Sequence, residues 1–145
     1  MFLGEYTHTL DKEFRLALPV RLREAASDEI ARGLCLTMGT ERFILAYTQA
    51  RLGELLAALE ADPSIGKTAA RDFKRAFGAT AAIAVPDAQG RIRLPEFLRS
   101  HAAIGKQVTV VGVIDAIEIW SAELYSEREP ARHAAYERLA PRVLG

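Results

Sequence analysis

The chain has 145 residues, of which 50% are hydrophobic and 26% charged, as expected for a globular protein with a sizeable core. Its 19 basic and 19 acidic residues give a formal net charge of zero, so nucleic-acid binding would require local basic patches. The single cysteine excludes a disulfide within the chain, and the sequence has no metal-ligand spacing or cofactor motif, so neither a metal nor a cofactor is predicted.

The first elements in the chain are predicted to be short strands. Alternating residues indicate a strand over 4–10, followed by a turn over 11–14 and a second strand over 15–18. Pro19 suits the start of a helix, which continues to about Ile30. The strands 34–38 and 43–47 then form a hairpin, in which Cys35 is predicted to be a small buried residue.

Two helices are predicted to follow the hairpin. Thr48 is placed to cap a helix with a leucine stripe, which is interpreted as core or as a contact with a neighbouring subunit. The breaks at 62–63 and at Gly66 separate it from a second helix over about 67–77. One face of that second helix is basic, which indicates either a solvated surface or an anion-binding one: Lys67, Arg71, Lys74 and Arg75.

The second half of the chain repeats the first. Residues 11–23 and 87–99 both read Asp, three residues, Arg, an aliphatic residue, a spacer, Leu-Pro, two spacers and Leu-Arg. The hairpin pattern also recurs. The two copies of the motif are 76 residues apart and the two hairpins are 73 residues apart, as a loop-length difference of three residues would produce. Ser121 is predicted to cap a last helix that Pro130 must kink or split and that stops at Pro141.

The repeated Asp and Arg suggest a binding site built on a turn. Asp11 and Asp87 suit the first position of a tight turn, and Gly90 supplies the positive φ that such turns often need. Arg15 and Arg91 would then be guanidinium forks at the edge of each turn, as phosphate or base recognition requires. The alternative is that each Asp pairs with its own Arg and only stabilises the hairpin, and the two roles are compatible.

No enzyme is predicted. The histidines His8, His101 and His133 are scattered, and the sequence has no nucleophile, phosphate-binding or dinucleotide motif. The N-terminus lacks the features of a signal peptide, and no apolar run reaches the length of a membrane span. The expected location is therefore cytoplasmic, with no membrane partner.

Several segments together resemble the MraZ family over nearly the whole chain to about residue 125. These are residues 1–11, the two D-x-x-x-R copies, residues 71–80 and residues 117–120. The resemblance implies an α+β fold of two tandem SpoVT/AbrB-like swapped-hairpin halves, forming a pseudo-twofold, β-barrel-like core with peripheral helices. The divisions expected are a first half over 1–50, connecting helices over 51–78, a second half over 79–125 and a C-terminal helical tail over 126–145.

The resemblance also implies a function. Family members are nucleoid-associated transcriptional regulators that bind double-stranded DNA at direct repeats in the promoter of the division and cell-wall gene cluster, as ring-shaped homo-oligomers. This chain is therefore expected to be a repressor of that kind, and the alternative is an AbrB-like, antitoxin-type module that binds a protein. The expected DNA contacts are two principal arginines, followed by weaker candidates: Arg15, Arg91, Lys12, Arg21, Arg23, Arg93 and Arg99.

The motif departs from the family pattern in the first copy. Glu13 occupies the usual place of a lysine, and Phe14 replaces a glycine, so this turn is expected to be strained or different. The second copy keeps Gly90 but has Gln89 in the lysine position, and Pro86 and Pro130 are further departures. Because the first copy has the denser positive charge, DNA contact is expected there first.

Overall fold

The two halves of the chain contain the same order of strands, with two long helices between them and two more at the end. The computed structural model describes all 145 residues, Met1–Gly145. The first half contains β1 (Glu5–Thr9), β2 (Arg15–Ala17), α1 (Val20–Ala25), α2 (Ser27–Ala31), β3 (Leu34–Met38) and β4 (Ile44–Thr48). The connecting helices are α3 (Gln49–Ala61) and α4 (Lys67–Thr80). The second half contains β5 (Ala82–Ala84), β6 (Arg91–Arg93), α5 (Glu96–His101), β7 (Gln107–Gly112) and β8 (Ile117–Ser121), and the tail contains α6 (Ala122–Glu127) and α7 (Glu129–Val143).

The main sheet is built by strand exchange between the halves. Its six strands run in the order β1-β7-β8-β4-β3-β5, and all pairs are antiparallel. The first strand of each half joins the hairpin of the other half, with His8 opposite Val108 and Ala84 opposite Leu34. The mixed α+β class is confirmed. The sheet is open, with β1 and β5 at its edges, so a barrel-like core is not confirmed.

The repeated motif forms a separate two-stranded ribbon. β2 pairs antiparallel with β6, with Arg15 opposite Arg93, Leu16 opposite Ile92 and Ala17 opposite Arg91. Because Leu16 and Ile92 occupy equivalent places in the two copies, the pseudo-twofold axis passes between them. Both side chains are buried, at 0% and 1% exposure, so the residues on either side point to the outer face of the ribbon.

The hydrophobic core connects the ribbon to the sheet. Leu22 of α1 and Leu98 of α5, which follow the two Leu-Pro steps, are both fully buried in the same cluster as Leu16 and Ile92. Burying a leucine or isoleucine side chain contributes about 1.5–3 kcal/mol each. The two copies of the motif therefore supply equivalent parts of one core as well as a surface.

Most predicted element ends agree with the structure. The Thr48 hydroxyl accepts a hydrogen bond from the Arg51 amide at 3.2 Å, and the Ser121 hydroxyl accepts one from the Leu124 amide at 3.4 Å, so both predicted caps are confirmed. Cys35 is buried in β3 as predicted. The helix predicted to run from Pro19 to about Ile30 is divided, because Ala26 has φ −154° and ends α1 before α2 begins.

The tail differs from the prediction at its second proline. The split before Pro130 is confirmed, since α6 ends at Glu127 and α7 begins at Glu129 with Pro130 in its first turn. The prediction that the last helix stops at Pro141 is wrong, because α7 continues to Val143. Pro141 lies in the last turn, where the missing amide proton removes a single helical hydrogen bond and little helix follows.

The connecting helices leave an apolar groove open. No side chain of α3 or α4 is fully buried, and the leucine stripe of α3 faces α4 and the β3–β4 hairpin across this groove. The groove has a volume of about 490 Å³ and is lined mainly by aliphatic and aromatic residues, including Leu52, Leu55, Leu56, Leu59, Phe73 and Phe77. None of the helices in the structure combines the length and apolar character needed to span a membrane.

Candidate nucleic-acid interface

The two motif turns have the same hydrogen bonds. One carboxylate oxygen of Asp11 accepts from the amides of Glu13 and Arg15, both at 2.9 Å, and its other oxygen accepts from Arg15 Nε at 2.7 Å. Asp87 accepts from the amides of Gln89 and Arg91 and from Arg91 Nε, at 2.9, 3.0 and 2.9 Å. Each Asp therefore closes its turn and fixes the guanidinium of its Arg by one edge.

These hydrogen bonds stabilise the charged forms of both aspartates and of Arg15. The pKa of the Asp11 carboxyl lies below its ordinary value of 3.8, first because the Arg15 amide donates to it. The pKa of Asp87 is lowered in the same way, first by the Arg91 amide. The pKa of Arg15 is raised, first by its side-chain hydrogen bond to Asp11.

The four side chains form one cluster on the outer face of the ribbon. Besides its own Asp, each Arg approaches the Asp of the other copy: Arg15 Nη1 is 4.0 Å from Asp87 and Arg91 Nη1 is 3.7 Å from Asp11. Both arginine side chains are 29% exposed, so part of each guanidinium faces solvent. An Arg held by its Nε edge can still donate to a phosphate or base through its outer nitrogens.

The expected strain in the first turn is present, in a specific form. Phe14 has φ +59°, the left-handed region that Gly90 occupies in the second turn with φ +76°. The guanidinium of Arg99 stacks on the Phe14 ring at 3.7 Å, a cation–π contact that stabilises the aromatic residue in this position. The first turn thus keeps the backbone of a glycine turn without the glycine.

Arg23 and Arg99 hold the two copies together. Arg23 Nε donates to the Leu18 carbonyl at 3.2 Å and Arg99 Nε donates to the Leu94 carbonyl at 2.9 Å. A β-carbon added to Gly90 would lie 2.7 Å from Arg23 Cζ, so Arg23 covers the second turn as Arg99 covers the first. Each arginine therefore packs against the turn of the opposite half. The sequence analysis did not predict this contact, although the recurrence of these two arginines 76 residues apart indicated that they have equivalent roles.

The other predicted contacts are all exposed. Arg93 is exposed on the ribbon, and its Nη2 donates to Glu13 at 3.2 Å. Lys12 and Arg21 are exposed and take part in no ion pair. On the basic face of α4, Lys74 pairs with Glu60 and Arg75 pairs with Asp72 at 2.8 Å, so two of its four cations are neutralised locally.

Comparison with known proteins identifies the family. A family model described as "MraZ protein, putative antitoxin-like" matches the chain twice, over residues 1–76 and 77–138. A protein named transcriptional regulator MraZ from Thermobifida fusca is 35% identical over 144 residues, which is 99% of this chain and 97% of the relative. The protein of the same name from Herpetosiphon aurantiacus is 44% identical over 123 residues, covering 85% and 82%. The chain belongs to the MraZ family, whose curated relatives are named as transcriptional regulators.

Proposed function

We propose that this protein is a sequence-specific DNA-binding repressor of transcription, in which Arg15 and Arg91 make the main DNA contacts. The observation that carries the proposal is the ribbon face, where two Asp-fixed guanidinium groups lie side by side across a pseudo-twofold axis. Fixed guanidinium forks lose little rotamer freedom on contacting a phosphate or a guanine edge. The strand exchange between the halves supports the swapped-hairpin architecture that the family resemblance implies.

The proposed target is a set of direct repeats in the promoter of the division and cell-wall gene cluster. The chain has no net charge, and few cations of the ribbon face are free of acidic partners. Each protomer is therefore expected to bind DNA only weakly by itself. Linking several such sites in one oligomer can raise avidity about 10²- to 10⁴-fold. Lys12, Arg21 and Arg93 are proposed as additional contacts, and the complex would be cytoplasmic and nucleoid-associated.

A ring-shaped homo-oligomer is proposed to provide this multivalency. The groove between α3 and α4 is apolar and open, and a second apolar face lies on α7, where Tyr136 is 67% and Val143 74% exposed. Exposed apolar patches of this kind mark interaction sites. Because the two faces are different surfaces of the same chain, packing one on the other between copies is a head-to-tail contact, which generates rings when it closes.

The test combines footprinting with a double variant. DNase footprinting on the organism's own division-cluster promoter is expected to show protected repeats. The variant Arg15→Ala/Arg91→Ala is expected to lose this protection while sedimenting as wild type, and Arg42→Ala, an exposed cation in the β3–β4 turn, should bind normally. A normal footprint from the double variant would show that the two arginines only stabilise the turns.

The second candidate is a protein-binding module of antitoxin type, which the open groove favours. In that case the groove between α3 and α4 would hold a segment of another protein, and promoter DNA would not be the ligand. Binding to promoter DNA that weakens steeply with salt supports the repressor, because counterion release scales with the number of phosphates neutralised. Absence of binding to repeat-containing DNA, or binding that does not respond to salt, supports the module.

A further inference from the structure

The two turns share a backbone but differ in charge at two equivalent positions, where Lys12 corresponds to Ala88 and Glu13 corresponds to Gln89. Only Glu13 of these residues pairs with the arginines of the ribbon. Glu13 Oε2 lies 3.4 Å from Arg15 Nη1 and 3.2 Å from Arg93 Nη2, so its carboxylate bridges two arginines of the ribbon. Gln89 has no charge to offer Arg91. Arg91 lies opposite Ala17 on the ribbon, whereas Arg15 lies opposite Arg93.

The two principal arginines are therefore neutralised to different degrees. Arg15 has three carboxylates within 4.0 Å, those of Asp11, Glu13 and Asp87. Arg91 has two, those of Asp87 and Asp11. A carboxylate beside a guanidinium competes with an incoming phosphate for the same nitrogens and repels it, so the more neutralised arginine is the weaker anion contact.

We propose that Glu13 limits the DNA affinity of the first turn, so that the turn of Arg91 is the stronger contact in this protein. The inference rests on the proposed DNA-binding function, and it reverses the expectation that contact is made first at the turn of Arg15. Arg93 is limited by the same carboxylate, and Glu13 is the acidic side chain that pairs with both Arg15 and Arg93 on the outer face.

A structural role for Glu13 predicts the opposite effect on binding. Arg15 and Arg93 are directly opposite one another on β2 and β6, and like charges so placed repel. If the carboxylate served mainly to hold the two arginines in place for DNA, its removal would weaken binding. The sign of the change therefore decides between the two roles.

The experiment uses Glu13→Gln, which gives the first turn the same uncharged side chain as the second. Fluorescence anisotropy of the full-length oligomer is measured on the footprinted promoter duplex over a range of salt concentrations. Glu13→Gln is expected to bind roughly 3- to 10-fold more tightly, with a log–log salt slope steeper by about one for each additional phosphate that a protomer neutralises. The reciprocal variant Gln89→Glu should bind more weakly by a similar factor.

Two controls complete the design. Glu127→Gln makes the same charge change at an exposed position of α6 and is expected to leave affinity unchanged, which excludes an effect of net charge alone. Between the single variants, Arg91→Ala should lose more affinity than Arg15→Ala. If the wild type binds the duplex and binding weakens steeply with salt, but Glu13→Gln binds no more tightly, this inference is overturned and the proposed function stands. A wild type that does not bind the duplex would overturn both.

Discussion

The turn at residues 11–15 and the turn at residues 87–91 have one backbone and two different ways of stabilising it. Both reach the left-handed region at their fourth position, but the residue there is Phe14 in one and Gly90 in the other. At Phe14 the ring lies under the guanidinium of Arg99, whereas at Gly90 the guanidinium of Arg23 occupies the space a side chain would need. An arginine of the opposite half thus covers each turn, although the side chain beneath it differs.

This comparison separates what the two copies must share from what they need not. The Asp–Arg hydrogen bonds and the covering arginines are present twice, and each copy contributes one residue to the buried Leu16–Ile92 pair. The acid at Glu13 is present once. Stability should therefore respond equally to changes in the two copies wherever they are equivalent, and binding should respond unequally.

The largest expected loss of stability comes from the two buried residues on the axis of the ribbon. Leu16→Ala and Ile92→Ala should each lower the free energy of unfolding by about 2–5 kcal/mol, because both side chains are buried and leave a cavity. The two losses should agree closely, since the residues are equivalent. Urea denaturation measures them, and Val20→Ala, at a 56% exposed position, is the control with little expected change. Clearly unequal losses would show that the halves are not equivalent in the core.

The next effect concerns the second turn alone. Gly90→Ala places a side chain at φ +76° and moves Arg23 from its hydrogen bond to Leu18, so a loss of about 1–2 kcal/mol is expected from the backbone conformation alone. Gly53→Ala is a matched control of opposite sign. Gly53 lies inside α3 with open space around it, where alanine should stabilise the helix by about 0.5–1 kcal/mol. Equal stability of the two variants in urea would contradict the strain at Gly90.

The two aspartates predict a dependence on acid that both turns share. Their folded pKa values lie below 3.8, so their stabilising contribution is fully present above that pH and is lost as pH falls below it. The urea concentration at the unfolding midpoint of the wild type should therefore decrease when the pH is lowered below about 4. Asp11→Asn/Asp87→Asn should start less stable at pH 7 and fall less on acidification, with Asp62, whose pKa is also lowered, supplying part of the remaining dependence. Parallel pH curves for the two proteins would contradict this assignment.

Local features of both copies could be predicted from the sequence, but contacts between the copies could not. The Asp turns and the caps at Thr48 and Ser121 depend on residues within a few positions of one another, and the repeat is visible because the same local pattern occurs twice. By contrast, Arg99 reaches Phe14 and Arg93 reaches Glu13 across 85 and 80 residues. An internal repeat is equally compatible with strands paired within a half and strands exchanged between halves, so the register of β1 on β7 needed the structure.

The smallest effect tests the first turn. Phe14→Gly makes its backbone equivalent to the second turn, which relieves about 1–2 kcal/mol of left-handed strain, but it removes a ring contact with Arg99 of about 0.5–2 kcal/mol. Because the two contributions oppose each other, the free energy of unfolding should change by at most about 1.5 kcal/mol. Phe14→Ala loses the ring and keeps φ +59°, so it should be less stable than Phe14→Gly. This is the reverse of the usual result, in which a protein with alanine is more stable than one with glycine at the same position. Urea denaturation of both variants decides the point, and an alanine variant at least as stable as the glycine one would show that the first turn relaxes out of the left-handed region once the ring is gone.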